Sequence, residues 1–251
     1  MSPNEQSDLQ PRRELSSGDF SLAFCQASLF IPDEEFSIAK VTKSLLPKWL
    51  DRFDADPMLL PYERGMPLEL PRIILRSKTD AWRCEIASVR INLAWQRPKS
   101  TAIATPTLES FYHEAVAFLT DYVRLLECRV GRVAAVIHRY APHEAPGRWL
   151  ASHFCRDKWL IQPLNRPEHF ELHAFKRFRF REQPFEVNSW VRSKTGRLTD
   201  GEQRSPIVLV EQDLNTPSEE VDQHSYSEQD IQNFFMTAVT EFDIILRLYY
   251  P

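Results

Sequence analysis

The stretch HFELHAFKRFRFR, residues 169–181, decides the reading of this chain. Residues of one parity, Phe170, Leu172, Ala174, Phe178 and Phe180, are apolar. The other parity carries His173, Arg177, Arg179 and Arg181. Alternation of this kind is the period of a strand with one face on a core and one in solvent. After a turn containing Gln183-Pro184, Glu186–Lys194 repeats it, with Val187, Ser189 and Val191 expected inward and Asn188, Trp190, Arg192 and Lys194 outward. Together they predict a β-hairpin whose outer face is basic and bears an aromatic ring.

A third strand, Pro206–Asp213, places Glu211 and Asp213 on one parity after the apolar run Ile207-Val208-Leu209-Val210. Two carboxylates side by side suit a general base or a metal ligand. They equally suit cross-strand pairing with Arg179 or Arg192, each pair worth about 0.2–1 kcal/mol, and pairing is the expectation here. Residues 170–197 carry a net +4 and residues 198–251 a net −9, so an acidic counter-surface follows the basic hairpin along the chain.

Working outward, Ser227 caps a terminal helix with Glu228 and Asp230 in its first turn and Ile231, Phe234, Phe235, Ala238, Phe242, Ile245 and Leu246 on one side. Thr107 caps a second long amphipathic helix through Leu108, Phe111, Tyr112, Ala115, Leu119, Tyr122 and Leu126, with Gly131 beyond its end and a strand at Val133–Tyr140. Before it, Ile73-Ile74-Leu75, the turn Lys78-Thr79-Asp80, Trp82–Ile86 and Val89–Trp95 predict a β-meander. Ser21–Ile31 is a first strand. A helix is expected over Glu34–Phe53, strained by Pro47 within its pattern, and Pro57–Pro71 is a proline-punctuated connector, able to form a flap over a groove. Short helices are expected within Pro146–Leu164.

The fold class predicted is α+β: antiparallel sheets with long amphipathic helices, a ferredoxin-like half over residues 19–143 and a related αβββα half over 144–251, packed on the first, after a disordered 1–18.

At 251 residues with 43% hydrophobic and 12% aromatic content, the chain can bury a large core. No apolar run approaches the ~20 residues that span a bilayer, so no membrane partner is expected. The polar start, Met1–Gly18, lacks the apolar segment of a secretory signal, and Cys25, Cys84, Cys128 and Cys155 are widely spaced, which predicts free thiols in the cytoplasm. Six glycines and no G-x-G-x-x-G or G-x-x-x-x-G-K-[ST] pattern argue against a phosphate-cradling loop. His138 with His143, and His153 with Cys155, do not make a zinc pattern, and no nucleophile is set in an elbow. No catalytic residue, metal or cofactor is predicted.

Two kinds of partner fit what is left. Trp82, Trp95, Tyr140, Trp149 and Trp159 are residue types enriched in protein interfaces, which favours a protein partner or a homo-oligomer. The outer hairpin residues His173, Arg177, Arg179, Arg181, Trp190, Arg192 and Lys194 also suit RNA or DNA, where a sheet stacks bases and its cations meet phosphates. The acidic C-terminal segment and the net charge of −4 weigh against that alternative.

Asn92-Leu93-Ala94-Trp95, Gly131-Arg132-Val133 leading to Arg139-Tyr140, the strand Ile207–Asp213 and the helix bearing Phe234-Phe235 resemble a sporadically distributed bacterial family of proteins of about this length and of uncharacterised function, over nearly the whole chain. The resemblance implies α+β architecture, a bacterial cytoplasmic setting and no established catalytic residues. Ser16-Ser17-Gly18 stands where that family has a proline-led entry to its first strand. In element order alone the chain is also similar to tandem ferredoxin-like RNA-processing proteins of CRISPR systems, whose glycine-rich loop it lacks.

Overall fold

The computed structural model describes residues 14–32, 37–61, 65–98, 104–161, 164–180, 183, 185–200 and 203–251. The strands are β1 (Ser21–Phe30), β2 (Met58–Leu59), β3 (Ile73–Arg76), β4 (Trp82–Ile86), β5 (Arg90–Gln96), β6 (Arg132–Pro142), β7 (Glu171–Arg179), β8 (Glu186–Asp200) and β9 (Gln203–Asn215). They form one sheet in the order β2-β3-β4-β5-β1-β6-β9-β8-β7, antiparallel at every junction.

The order has an internal repeat. In the first half β1, a helical segment, the meander β3-β4-β5 and helix α2 (Leu108–Leu126) follow one another; in the second, β6, helix α3 (Pro146–Phe154), the meander β7-β8-β9 and helix α5 (Glu228–Tyr249) do the same. Each meander returns its last strand to the half's first strand, and β1 pairs with β6 in the middle. The two halves therefore continue a single sheet edge to edge; the second is not a separate layer on the first.

All three of these helices lie against one face. The register aligns Trp82, Trp95, Cys25, Ile137, Gln212 and Val191 on one side. From that side Trp82 stacks on Phe111 of α2 and Gln212 donates to the Phe242 carbonyl of α5. Arg139, two residues on from Ile137, reaches Asp243 of α5, and Ser193 accepts from the Tyr250 hydroxyl at 2.7 Å. Trp149 of α3 stacks on Tyr250 in turn. Trp82, Trp95 and Trp149 are thus consumed by the core, Tyr140 is half-buried beneath Arg97, and Trp159 of the short helix α4 (Asp157–Leu160) stays exposed.

The caps foretold by the sequence hold the long helices. Thr107 accepts the Ser110 N–H at 3.1 Å, and Glu127, left-handed at φ 55°, ends α2. Ser227 and Asp230 exchange a capping box at the start of α5. The helix expected over Glu34–Phe53 differs. Residues 33–36 lie outside the described ones, and Ile38–Trp49 breaks into α1 (Ile38–Lys40), a π turn (Val41–Leu45) and a 3-10 turn (Leu46–Trp49). Pro47 supplies no N–H and its ring opposes a straight continuation. The broken segment still packs on α2, through Trp49 and Phe53 against Phe118.

Of the segment 1–18 expected to be disordered, residues 15–17 are tied to the fold: Leu15 is buried, Ser17 N–H donates to the Tyr250 carbonyl at 2.9 Å, and Ser16 donates to Asp19. Residues 1–13 lie outside the described ones. Among the described residues no helix is long and apolar enough to cross a membrane.

Candidate functional site: the outer hairpin and the open sheet face

The sheet's other face carries none of α2, α3 or α5. Its side chains follow from the register. One row runs Gln26, Val136, Asp213, Trp190 and Phe175 from centre to edge; the next runs Phe24, His138, Glu211, Arg192 and His173. A third row holds Ser28, Ala134, Asn215 and Asn188, all buried despite facing away from the helices. These short side chains lie beneath longer ones: Arg132 donates to Asn215 Oδ1 and to the Thr216 carbonyl, and Arg177 donates to Asn188 Oδ1 at 2.8 Å.

The predicted site residues separate into those that meet and those that do not. His173, Arg192 and Glu211 lie in one row, with Lys194 beside them. Lys194 Nζ is 2.6 Å from Glu211 and Arg192 is 3.8 Å from it, so Glu211 pairs with two cations of the hairpin on its own chain. His173 Nε2 meets Glu171 at 2.6 Å, and Arg177 meets Glu219 at 2.7 Å. Asp213 faces Trp190 instead of an arginine. Arg179 lies opposite Glu186 in register and makes no ion pair among the described residues; it does not reach Glu211. Arg181 lies outside the described residues. Three of the cations, Arg177, Arg192 and Lys194, are therefore matched by carboxylates within the molecule, and His173 is hydrogen-bonded to Glu171.

Trp190 and Phe175 are what this matching leaves exposed. Their ring centroids are 4.6 Å apart and tilted by 42°, and 38% of Trp190 and 51% of Phe175 remain accessible. Phe175 was absent from the sequence reading although it shares the parity of His173 and Arg177; the parity was the signal that would have found it. Lys176 takes the opposite parity, where an apolar residue was expected, and its ammonium lies 5.4 Å over the Phe178 ring. Glu219 was also missed, because a loop 42 residues away brings it to Arg177.

Burial pushes the Asp213 carboxyl above the usual carboxylate range, against the hydrogen bond from Asn215 and the attraction of Arg132 and Arg192. Burial likewise lowers His138, opposed by Glu211 across the strand. A carboxyl whose folded pKa is raised favours folding while protonated, and this contribution is lost as pH rises through the folded pKa. Asp213→Asn is therefore expected to melt higher than the parent at pH 7, with the difference closing as pH falls through the raised folded pKa and gone by the time it reaches the ordinary carboxylate pKa of about 4. Thermal melts of both proteins across that range check it.

Elsewhere, an open cleft of about 470 Å³ at the start of α3 is lined by acids and bases alike, among them Glu144, Arg148, Arg166, Glu168 and Arg197. Among the described residues no cluster of three or more His, Cys, Asp or Glu is placed to hold a metal ion. Among the described residues the cysteines form no disulfide, and Cys25 and Cys84 are buried.

The fold and this face define an α+β protein with one sheet face clothed in helices and the other presenting aromatic and ion-paired side chains. No protein-family model matches the chain, and no curated protein matches it.

Proposed function

We propose that this protein is a non-enzymatic binding or regulatory subunit that engages a protein partner through the outer hairpin, with Trp190 and Phe175 as anchors. The observation that carries this reading is the exposed aromatic pair set among charges already matched within the chain. Large rings ringed by satisfied polar groups are the usual composition of an interface hot spot. A nucleic-acid backbone would have to compete with Glu211 for Lys194 and Arg192 and with Glu219 for Arg177, in a chain of net charge −4.

The order β4-β5-β1-β6, with helical segments after β1 and β5, supports reading the first half as a ferredoxin-like unit, and β6-β9-β8-β7 as its relative in a shared sheet. The buried, reduced thiols of Cys25 and Cys84 support a cytoplasmic setting.

The test is to place a photo-reactive phenylalanine analogue at position 190 and irradiate cells that make the protein. An adduct containing a second polypeptide and resistant to nuclease is expected; a nuclease-sensitive adduct would transfer the assignment to nucleic acid.

A further inference from the structure

The two edges of the sheet are unlike. One is β2, two residues long. The other is β7, nine residues in unbroken register with β8 and with no proline. Sheets ordinarily blunt their edges by shortening, bulging or proline, because a long regular edge presents a row of unsatisfied backbone groups. β2 follows that rule and β7 does not.

Which groups β7 presents follows from its pairing. Thr195 N–H bonds the Phe170 carbonyl and Phe180 N–H bonds the Phe185 carbonyl, both at 3.1 Å, so at both ends the even-numbered residues bond inward to β8. By alternation the N–H and C=O of Glu171, His173, Phe175, Arg177 and Arg179 point away from the sheet. Among the described residues none of these groups makes a backbone bond to another segment.

We infer that this edge pairs antiparallel with β7 of a second copy of the chain, in the register that sets Phe175 opposite Phe175. The inference rests on the protein-binding reading above and names the partner of the same hairpin. Self-complementarity of the strand carries it. In this register every outward residue of one copy meets an outward residue of the other, as paired backbone bonding requires. Glu171, which bonds His173 on its own strand, falls opposite Arg179 of the second copy, twice by symmetry, and Arg179 has no ion pair on its own chain among the described residues. Leu172 falls opposite Phe178 of the second copy, both half-buried apolar residues on the helix side. His173 falls opposite Arg177, whose guanidinium is already held by Asn188 and Glu219. On the open face, the Trp190–Phe175 pairs of the two copies join into one strip of four rings about the symmetry axis.

The experiment is light scattering on the full chain over a range of concentrations, for the parent, Glu171→Arg, Arg179→Glu and the double variant. The parent is expected at twice the 29.4 kDa chain mass. Each single variant sets like charges opposite one another at two places and should weaken dimerisation about tenfold, while the double variant restores the pairing and should return to near the parent value. His173→Pro removes an outward N–H only and should dissociate the dimer with little change in melting temperature; Ala174→Pro removes a bond to β8 and should lower that temperature. A parent of single-chain mass at every concentration, single variants as dimeric as the parent, or a double variant no better than the singles would each overturn the inference. A single-chain mass together with a nuclease-resistant polypeptide adduct at position 190 would overturn the edge pairing alone and leave the binding reading standing. A dimer with no such adduct would leave the edge pairing standing and overturn only the role of Trp190 as an anchor.

Discussion

Replacing Phe235 with alanine is expected to cost about 3–5 kcal/mol of stability, and to lower the melting temperature by on the order of 10 °C. Phe235 is fully buried on α5, stacked on Tyr112 of α2 at 5.4 Å between centroids and edge-on to Phe234 at the same distance. It thus joins the closing helices of both halves over the β1–β6 centre of the sheet, where Tyr112 also donates to the Gln26 carbonyl. Removing the ring forfeits its transfer free energy and leaves a cavity that two rigid helices cannot close. Trp190→Ala, on the exposed hairpin, should by contrast change stability by no more than about 0.5 kcal/mol. Chemical denaturation of the two variants checks the contrast: equal losses would mean that Trp190 belongs to the core, not to a binding surface.

Gly131→Ala should be nearly as damaging, by about 2–4 kcal/mol. A Cβ at position 131 would stand 1.9 Å from the Val221 carbonyl oxygen and 2.9 Å from its carbon, both backbone atoms that cannot swing aside. The loop from Thr216 to Tyr226 is tied down around that point: Arg129 donates to the Asp222 and His224 carbonyls, Arg132 to the Thr216 carbonyl, and Tyr226 N–H to the Val130 carbonyl. Making room for a methyl group must pull the loop from these anchors. Because the same loop carries Glu219 to Arg177, the substitution should also free a hairpin cation. Denaturant melts read the first effect. A salt-dependent affinity for a nucleic-acid probe, gained by the variant and absent in the parent, reads the second.

What the sequence disclosed and what it concealed have physical reasons. α2 and α5 were legible because Thr107, Ser227 and Asp230 sit where caps must, and because their apolar residues recur at helical spacing. The meander β3-β4-β5 and the hairpin β7-β8 were legible from alternation, which also placed Val187, Ser189 and Val191 inward. The tail of β8 beyond Lys194 was not, since Thr195–Asp200 has no apolar parity to betray it; it is kept extended by pairing with β9, and beyond Thr195 β7 no longer accompanies it. The break in the first helical segment turned on Pro47, whose effect was foreseen in kind but not in form. The pairing of Glu211 with Arg192 could be anticipated because both lie on neighbouring strands, whereas Glu219 and Arg177 meet only after the loop has folded across. The exposed Phe175 was hidden by its neighbours: an aromatic residue in an apolar-looking strand is readily assigned to the core unless parity is followed strictly.

The measurement that bears most directly on the proposed function is the identity of what position 190 touches in living cells. A photo-reactive phenylalanine analogue replaces Trp190 in one culture and Leu248 in another; Leu248 is 76% exposed on α5, on the opposite side of the sheet. A discrete polypeptide adduct from position 190, unchanged by nuclease, is expected, and none of that mass from position 248. Adducts at 190 that vanish with nuclease, or the same set of bands from both positions, would contradict it.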